Sequence, residues 1–326
     1  MSKAISTVIG TLLMLVITIG LFGFSYSYIY GVFTSKTSET FSVVDSLNDA
    51  VTISNDGTSV IINIKATLDG NSVPIAVVPN IQGLVGYWSF NEGSGTITND
   101  NSGNKNIGTL RPSCPNCPAW VKDIFNNALD FDGVDDDVAI TQSSSINLPD
   151  SAFSIAVWIK PDAVTTQTII QKGTTDANEE FILAIINPGA LYFDWGNNPY
   201  RQSSNNVVTA NEWQFLVGVY DGGNTGRIFR NAVQLTPAAQ GNAAHNTGTF
   251  DLQIATGRVT RFSGIIDEIG IYNRALSDSE ITQLYSGLVI PGQLATVKPL
   301  ATLTSGKHTL RLCTSSMCNT AVLHIQ

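Results

Sequence analysis

The chain has 326 residues, which is long for one domain and predicts two modules that each bury a core of their own. Its 26 acidic and 17 basic residues give a net charge of −9, and Lys and Arg form no cluster of the kind that binds phosphate, which disfavours a nucleic-acid partner, and we predict none. Charged residues make up only 13% of the chain, a proportion typical of a β-rich extracellular protein rather than a cytosolic enzyme.

The first predicted element is an apolar helix that begins almost at the N-terminus. No charged residue lies between Ala4 and Ser35, and the run TVIGTLLMLVITIGLFGF is long enough to span about 30 Å of hydrocarbon. A signal peptide or signal anchor is the alternative, but secretory signals have a shorter apolar core and a small-residue cleavage site. Residues at roughly helical spacing continue the pattern: Phe33, Thr37, Phe41, Val44 and Leu47. We therefore expect one helix over residues 5–47.

A short motif in front of this helix suggests its role. Its four residues are Lys3, Ala4, Ile5 and Ser6. They resemble the class III signal peptide of archaeal type IV pilin-like proteins, in which a membrane peptidase cuts after the Gly or Ala. The resemblance implies a leader of residues 1–4, cleavage between Ala4 and Ile5, and a helix that packs into a filament core. Ile9 stands where bacterial pilins usually carry Glu, which leaves the register of helix docking open.

Short strands follow the helix and also end the chain. Before residue 83 the segments VTIS, TSVIINIKAT and SVPIAVV are separated by NDG and LDGN, whose Gly and Asn residues favour tight turns. Three strands do not make a stable sandwich, and the tail after residue 288 holds three more strand-like runs. We expect residues 48–82 and 289–326 to close together as one small Ig-like β-sandwich.

The intervening residues 83–288 are rich in Trp, Asp, Gly and Asn, and they read as many short strands. In order they contain NALDFDGVDDDVAI, FSIAVWIKPD, NEWQFLVGVYD and FSGIIDEIGIYNRALSDSE. This succession resembles the laminin-G-like, concanavalin A-like jelly-roll family. A short helix is also predicted, with Ser277 as N-cap, Glu280 completing a capping box and Gly287 ending it. The predicted fold class is thus mainly β with a long N-terminal α-helix, a small Ig-like β-sandwich head and a concanavalin A-like jelly roll.

The sequence offers little for catalysis, and we predict that the protein is not an enzyme. β-Glucan-cleaving enzymes of the same shape carry Glu-x-Asp-x-x-Glu on one strand, and this spacing does not occur in the chain. The three histidines, His245, His308 and His324, lie far apart without a nearby nucleophile motif.

Calcium is the predicted cofactor, because the loops DNSGN and DFDGVDDD are rich in hard oxygen ligands. The alternative is that these Asp and Asn residues only form turns. In laminin-G-like proteins a calcium ion often lies near the rim of the sandwich. The resemblance implies Asp100, Asn104 and Asp267 as ligands, and Asp132 is the next candidate.

The four cysteines form two local pairs, in CPNCP and CTSSMC. Zinc binding by both pairs together would join residues nearly 200 positions apart in different modules. For an exported protein we therefore predict the disulfides Cys114–Cys117 and Cys313–Cys318.

The resulting hypothesis is a structural subunit of an extracellular type IV pilin-like filament, with an outward laminin-G-like domain for adhesion or glycan binding. Its partners would be copies of itself, the membrane before assembly, and surface glycans or another cell surface. Its location would be the cell surface, with membrane insertion by the N-terminal helix before assembly. The alternatives are a membrane-anchored lectin that does not polymerise and a glycan-active enzyme.

Overall fold

The structure is a computed structural model, and it describes residues 39–325 apart from 48, 60, 62–63, 74, 124–125, 174–178, 197–199, 241–244, 246–247, 288, 290–292, 300 and 302. In the first part of the described chain the strands are β1 (Phe41–Leu47), β2 (Ala50–Asn55), β3 (Lys65–Leu68), β4 (Asn71–Val73), β5 (Ile75–Pro79), β6 (Leu84–Trp88), β7 (Ile97–Thr98), β8 (Gly108–Arg111), β9 (Ala119–Asp123), β10 (Asn126–Asp132), β11 (Asp137–Ile140) and β12 (Phe153–Pro161).

The strands of the second part are β13 (Gln167–Gly173), β14 (Glu179–Ile186), β15 (Ala190–Asp194), β16 (Tyr200–Gln202), β17 (Gln214–Gly222), β18 (Thr225–Arg230), β19 (Val233–Leu235), β20 (Ala239–Gln240), β21 (Leu252–Ile254), β22 (Ser263–Tyr272), β23 (Leu294–Pro299), β24 (Gly306–Cys313) and β25 (Cys318–Ile325). A 3₁₀ turn covers Ser144–Ile146, and the helix α1 covers Asp278–Ser286.

The chain divides into two compact units. The terminal unit combines Met1–Pro79 with Leu288–Gln326, and the central unit is Asn80–Gly287. These positions lie near the boundaries expected from the sequence.

The terminal unit contains two four-stranded sheets around one core. Their strand orders are β1-β2-β23-β5 and β25-β24-β3-β4, and all pairings are antiparallel. Both sheets supply buried side chains to the same cluster, for example Ile53 and Val297 from one and Leu310 and Leu323 from the other. Strand β2 alternates half-buried and buried residues, as expected of a strand with one face on a core.

The central unit is built from two larger antiparallel sheets. One has the order β19-β18-β17-β12-β22-β10-β9, with β6 also paired to β22, and the other has the order β20-β16-β15-β14-β13-β21-β11-β8-β7. A large apolar core includes residues of both sheets, among them Trp88, Phe153, Leu183 and Phe193. Residues that alternate with these core positions lie on the outer faces of the sheets, and there they form the sites described below.

The helix α1 covers part of the outer face of the eight-stranded sheet. The side chain of Ser277 accepts a hydrogen bond from the backbone N–H of Glu280, whose side chain in turn caps the helix start, and Gly287 ends the helix with φ of 64°. These are the predicted caps. Ile281 packs into an apolar cluster with Val217 and Phe229 of the sheet.

The fold class predicted from the sequence is wrong in its long N-terminal helix. Residues 41–47, the last part of the expected helix, form strand β1, whose ladder with β2 runs from Phe41 opposite Asn55 to Leu47 opposite Ala50. In the part of the chain that the structure describes, α1 is the one α-helix, and it has nine residues. Residues 5–38 of the expected helix and the expected cleavage site at Ala4 and Ile5 lie outside the described residues, so the cleavage stays a prediction.

The predicted membrane-inserted location is corrected as well. Within residues 39–325, as far as they are described, no helix has both the length and the apolar character needed to cross a bilayer. The apolar run on which that prediction rested lies outside the described residues.

Candidate functional site

The loop that carries Asp100 and Asn104 uses its polar groups internally. One oxygen of the Asp100 carboxylate accepts the N–H groups of Tyr87 and Ser102, both at 2.9 Å. The other accepts the backbone N–H and the side-chain amide of Asn106 at 3.0 and 2.8 Å. A carboxylate has about four lone-pair sites, and all four are used here. Asp100 therefore anchors its own loop, while the Asn104 amide donates to a backbone carbonyl of β6.

Asp267 lies inside the central unit, on β22, and is fully buried. Its carboxylate accepts the backbone N–H of Glu268 at 2.8 Å, and the side chain of Glu268 accepts the hydroxyl of Tyr87. Burial and the Glu268 carboxylate hold the pKa of Tyr87 well above its usual value, so the hydroxyl keeps its proton. These contacts make the Asp267 region part of the interior.

Asp132, the fourth candidate ligand, lines an open pocket of about 540 Å³. We call it the acidic pocket, and its lining is Asn116, Cys117, Ala119, Asp130, Phe131, Asp132, Asp135, Asp136, Asp162 and Ser263. Carboxylate oxygens of Asp132, Asp135 and Asp136 all lie within 4.8 Å of one another. The other three candidate ligands are not part of this lining, so the structure does not bring the four together.

Burial and neighbouring carboxylates raise pKa values within the acidic pocket. Burial, together with the carboxylates of Asp162 and Asp132, raises the pKa of Asp130. Burial raises the pKa of Asp136 too. A cation or a bound proton would relieve this crowding. Asp130 and Asp162 were not predicted as site residues. The alternation of β10 places Asp130 on the same face as Asp132, and this signal could have found Asp130.

Both predicted disulfides are present, Cys114–Cys117 and Cys313–Cys318. The first closes the loop that contributes Asn116 and Cys117 to the acidic pocket. The second joins facing residues at the ends of β24 and β25.

A different cluster, which combines polar and aromatic side chains, lies on the outer face of the nine-stranded sheet. Paired residues of neighbouring strands share a face, so Gln171, Ile182 and Asp194 form one row across β13, β14 and β15. Tyr192 shares this face because it lies two positions from Asp194. Phe193, between them, points into the core.

The centre of this cluster is Tyr192. Its ring stacks on Tyr200 of the next strand, with centroids 5.2 Å apart, and the guanidinium of Arg258 lies 5.8 Å from its centroid. Its hydroxyl donates to the Asp194 carboxylate at 2.7 Å, and Arg258 donates to both that hydroxyl and that carboxylate at 3.0 and 3.1 Å. The Tyr200 ring therefore packs on Tyr192, and the Tyr192 hydroxyl is hydrogen-bonded to both the Asp194 carboxylate and the Arg258 guanidinium.

Arg258 is positioned by its backbone as well as by its side chain. The N–H of Arg258 donates to the side-chain oxygen of Gln171 at 2.6 Å. The residue before Arg258 must be a glycine for this hydrogen bond to form, because a Cβ on Gly257 would lie 2.0 Å from the same Gln171 oxygen. We call Gln171, Tyr192, Asp194, Tyr200 and Arg258 the tyrosine face.

Burial sets the electrostatics of the tyrosine face. Asp194 is fully buried, and burial raises the pKa of its carboxyl, while Tyr192 and Arg258 act in the opposite direction. Burial and the Asp194 carboxylate raise the pKa of the Tyr192 hydroxyl. The side chain of Arg258 remains 20% exposed. The face therefore presents a charged guanidinium and an aromatic ring above a buried carboxylate.

This cluster was not predicted from the sequence. The alternation Tyr192-x-Asp194 on an apolar strand is a signal that polar groups share one face of a buried strand. Nothing near Arg258 in the sequence indicates that it lies against that strand.

Comparison with known proteins identifies the central fold. Residues 132–282 match the family described as the concanavalin A-like lectin/glucanases superfamily, and they form a concanavalin A-like, laminin-G-like domain. No curated protein matches the chain.

Several solved structures are similar to this unit. The binding domain of Paraclostridial Mosquitocidal Protein 1 has a TM-score of 0.50 at 15% identity, covering 62% of this chain and 52% of its own. Domain 4 of an extracellular arabinanase from Geobacillus stearothermophilus, in complex with arabinotriose, has a TM-score of 0.49 at 19% identity, covering 62% and 98%. Trypanosoma rangeli sialidase has a TM-score of 0.46 at 17% identity, covering 66% and 33%. At these identities the likeness concerns the fold alone, and the chain spans about half the length of the mosquitocidal binding domain.

Proposed function

We propose that the protein is an extracellular carbohydrate-binding protein and that the tyrosine face of its central unit is the binding site. The observation that carries the proposal is the stack of Tyr200 on Tyr192 beside the hydrogen-bonded pair of Arg258 and Asp194. The family description, which names lectins and glucanases, supports the same ligand class. Two disulfides suit an oxidising, extracellular compartment.

The chemistry of the tyrosine face suits a sugar. A pyranose or furanose ring has an apolar C–H face that packs on an aromatic ring, and its hydroxyls pair with planar charged groups. Tyr200 offers the ring and Arg258 offers N–H donors. The amide nitrogen of Gln171 is buried and has no hydrogen-bond partner among the described residues, which adds a donor below Arg258.

A binding experiment tests this proposal. The full chain is applied to an array of neutral and acidic oligosaccharides, and the strongest ligand is then titrated by calorimetry. We expect Tyr200→Ala to weaken binding about tenfold or more, because the ring contact is lost. Tyr285→Ala removes an exposed ring of helix α1, on the other sheet, and is the matched control with unchanged binding. Equal affinity of both variants and the wild type would place the site elsewhere, and no binding to any oligosaccharide would refute the function.

We propose binding without catalysis. Glycoside hydrolysis generally uses two carboxyl groups about 5 to 9.5 Å apart. The tyrosine face holds one carboxylate, that of Asp194, which already pairs with Arg258 and Tyr192. We expect the oligosaccharides that bind to be recovered uncleaved after prolonged incubation, as measured by chromatography.

We also propose that calcium binds in the acidic pocket. Asp132, Asp135 and Asp136 fit the ion, because Ca²⁺ prefers several oxygen ligands and their carboxylates lie close together. A ligand that binds only the native state raises stability by about 2.7 kcal/mol at 100 times its Kd. Calcium should therefore raise Tm and EDTA should lower it. Asp135→Asn should remove the effect, and Asp150→Asn, an exposed control, should keep it.

The predicted filament role does not form part of the proposal. It depended on a helix over residues 5–47, of which the described part is a strand. The family match of residues 132–282 gives no support for self-assembly.

A further inference from the structure

Residues 39–41, which lead into strand β1, are held by turns that follow strands of both sheets of the terminal unit. On one side is the turn that follows β2. There the backbone carbonyl of Thr40 accepts the N–H groups of Asp56 and Gly57, both at 3.0 Å. Such hydrogen bonds are expected here, because β1 and β2 are neighbouring strands of one sheet.

On the other side is the turn between β24 and β25, residues 314–317, which we call the C-terminal turn. The hydroxyl of Thr314 donates to the backbone carbonyl of Glu39 at 2.8 Å. The backbone N–H and the hydroxyl of Ser315 both donate to the Glu39 carboxylate, at 3.2 and 2.9 Å. Three hydrogen bonds thus link this turn to one residue more than 270 positions earlier.

Phe41, the first residue of β1, completes the attachment. Its N–H donates to the sulfur of Met317 at 3.2 Å, and its carbonyl accepts the side-chain amide of Asn319 at 2.5 Å. The side chain of Phe41 is 2% exposed and belongs to the core of the terminal unit. Met317 of the C-terminal turn and Asn319 of β25 therefore hold the backbone of a residue that belongs to the core.

The Cys313–Cys318 disulfide closes the C-terminal turn. The two cysteines face each other at the ends of β24 and β25, and the four residues between them make four hydrogen bonds to Glu39 and Phe41. Without the cross-link the turn gains conformational freedom, and ordering it against Glu39 and Phe41 costs more entropy. Cys318 is exposed, so a dissolved thiol can reach the disulfide.

We propose that the Cys313–Cys318 disulfide is a redox-sensitive clasp that holds the start of strand β1 in its sheet. A dithiol reductant supplies two electrons and two protons, the S–S bond breaks, and two cysteine thiols form while the reductant becomes a disulfide. Strand β1 is an edge strand with β2 as its neighbour in the sheet. When the clasp opens, Glu39 and Phe41 lose their contacts to the C-terminal turn, and the edge of β2 and the core position of Phe41 become accessible.

Hydrogen exchange of the full chain tests the clasp. We expect Cys313→Ala/Cys318→Ala to accelerate amide exchange at the start of β1 about tenfold, which corresponds to one or two net hydrogen bonds. Exchange in β2 and β23 should stay unchanged. Cys114→Ala/Cys117→Ala removes the other disulfide and is the matched control, with no effect on β1. Unchanged exchange in β1, or equal acceleration throughout the terminal unit, would overturn the proposal.

A second pair of variants keeps the test decisive if the double cysteine variant does not fold. Met317→Leu keeps the volume of the side chain but removes the sulfur that accepts the Phe41 N–H, and it should accelerate exchange of that amide. Ser316→Ala alters the same turn at a residue without a hydrogen bond to residues 39–41 and should not. Equal exchange of the Phe41 amide in both variants would show that the turn does not hold β1.

Discussion

The fully buried ion pair of Lys172 and Glu180 yields the sharpest stability prediction. The ammonium of Lys172 contacts the Glu180 carboxylate and lies 3.2 Å from the carbonyl of Gly248. The second oxygen of Glu180 accepts the N–H of Leu148 at 2.9 Å. Both side chains are completely shielded from solvent. Removing one partner therefore leaves a charge in the interior without compensation.

We predict that Lys172→Met lowers the free energy of unfolding of the central unit by about 3 to 5 kcal/mol at pH 8. Lys172→Met/Glu180→Gln should recover most of this loss, because it removes both charges and keeps an acceptor for the Leu148 N–H. Lys105→Met, at an exposed lysine of the same unit, should change stability by less than about 0.5 kcal/mol.

The loss should depend on pH in a defined direction. Burial raises the pKa of Glu180, and Lys172 counteracts this, so the variant raises it further. A carboxyl with a raised pKa in the folded state binds its proton more tightly there than in the unfolded state. Its contribution is most favourable below about pH 4.5 and is lost as pH rises through the folded pKa. Lys172→Met should therefore cost less at pH 5 than at pH 8.

Unfolding in guanidinium chloride, followed by tryptophan fluorescence, measures these free energies of unfolding. The signal reports on the central unit, because every tryptophan belongs to it: Trp88, Trp120, Trp158, Trp195 and Trp213. A cost below about 1 kcal/mol at pH 8, or a cost that is the same at both pH values, would refute the reasoning that the pair is charged and buried.

Three further predictions concern other parts of the molecule. Burial lowers the pKa of His245 to about 4, although the Asp150 carboxylate lies 3.8 Å away. The free energy of unfolding should therefore rise with pH between about 4 and 6.5, because the unfolded state binds the proton more tightly. His245→Gln should abolish up to about 3 kcal/mol of that rise, as measured by unfolding at both pH values. Gly218→Ala should cost the central unit about 1 to 3 kcal/mol, because a Cβ would lie 2.5 Å from the ring of Phe193, and an unchanged unfolding midpoint would contradict it. Replacing residues 80–287 by a short Gly-Ser linker should leave the terminal unit folded, with slow amide exchange in its strands, and rapid exchange throughout would show that the two units depend on each other.

Features that depend on a few neighbouring residues were predictable from the sequence. The capping box of Ser277 and Glu280 and the end at Gly287 were predicted because the groups that satisfy a helix end lie within one turn of it. Both disulfides were predictable for a similar reason, since each pair is separated by only a few residues.

The secondary structure of residues 41–47 was mistaken because two periods fit the same residues. Phe41, Val44 and Leu47 have helical spacing, while Phe41 and Val43 alternate as in a strand. In the structure Phe41 is buried, Val43 packs on the core, and Val44 is 56% exposed. A register shift between Val43 and Asp45 interrupts the alternation, and such a shift leaves no clear signal in the sequence.

The four candidate calcium ligands show why residue type alone does not define a site. Asp and Asn are suitable oxygen ligands and are also the residues that stabilise turns. Asp100 uses its four acceptor positions on its own loop and on Tyr87 of β6, whereas Asp132 faces an open pocket. Only the hydrogen bonds of the folded loop distinguish the two roles.

By itself the sequence determined the concanavalin A-like domain, the two disulfides and the caps of α1, because each depends on a local pattern or on an ordered succession of motifs. The tertiary structure alone decided which distant side chains meet. Gln171, Asp194 and Arg258 become neighbours through the pairing register of β13, β14 and β15 and through the loop after β21. A shift of one residue in that register would turn Asp194 towards the core, and no local pattern specifies the register of strands that are buried on both faces.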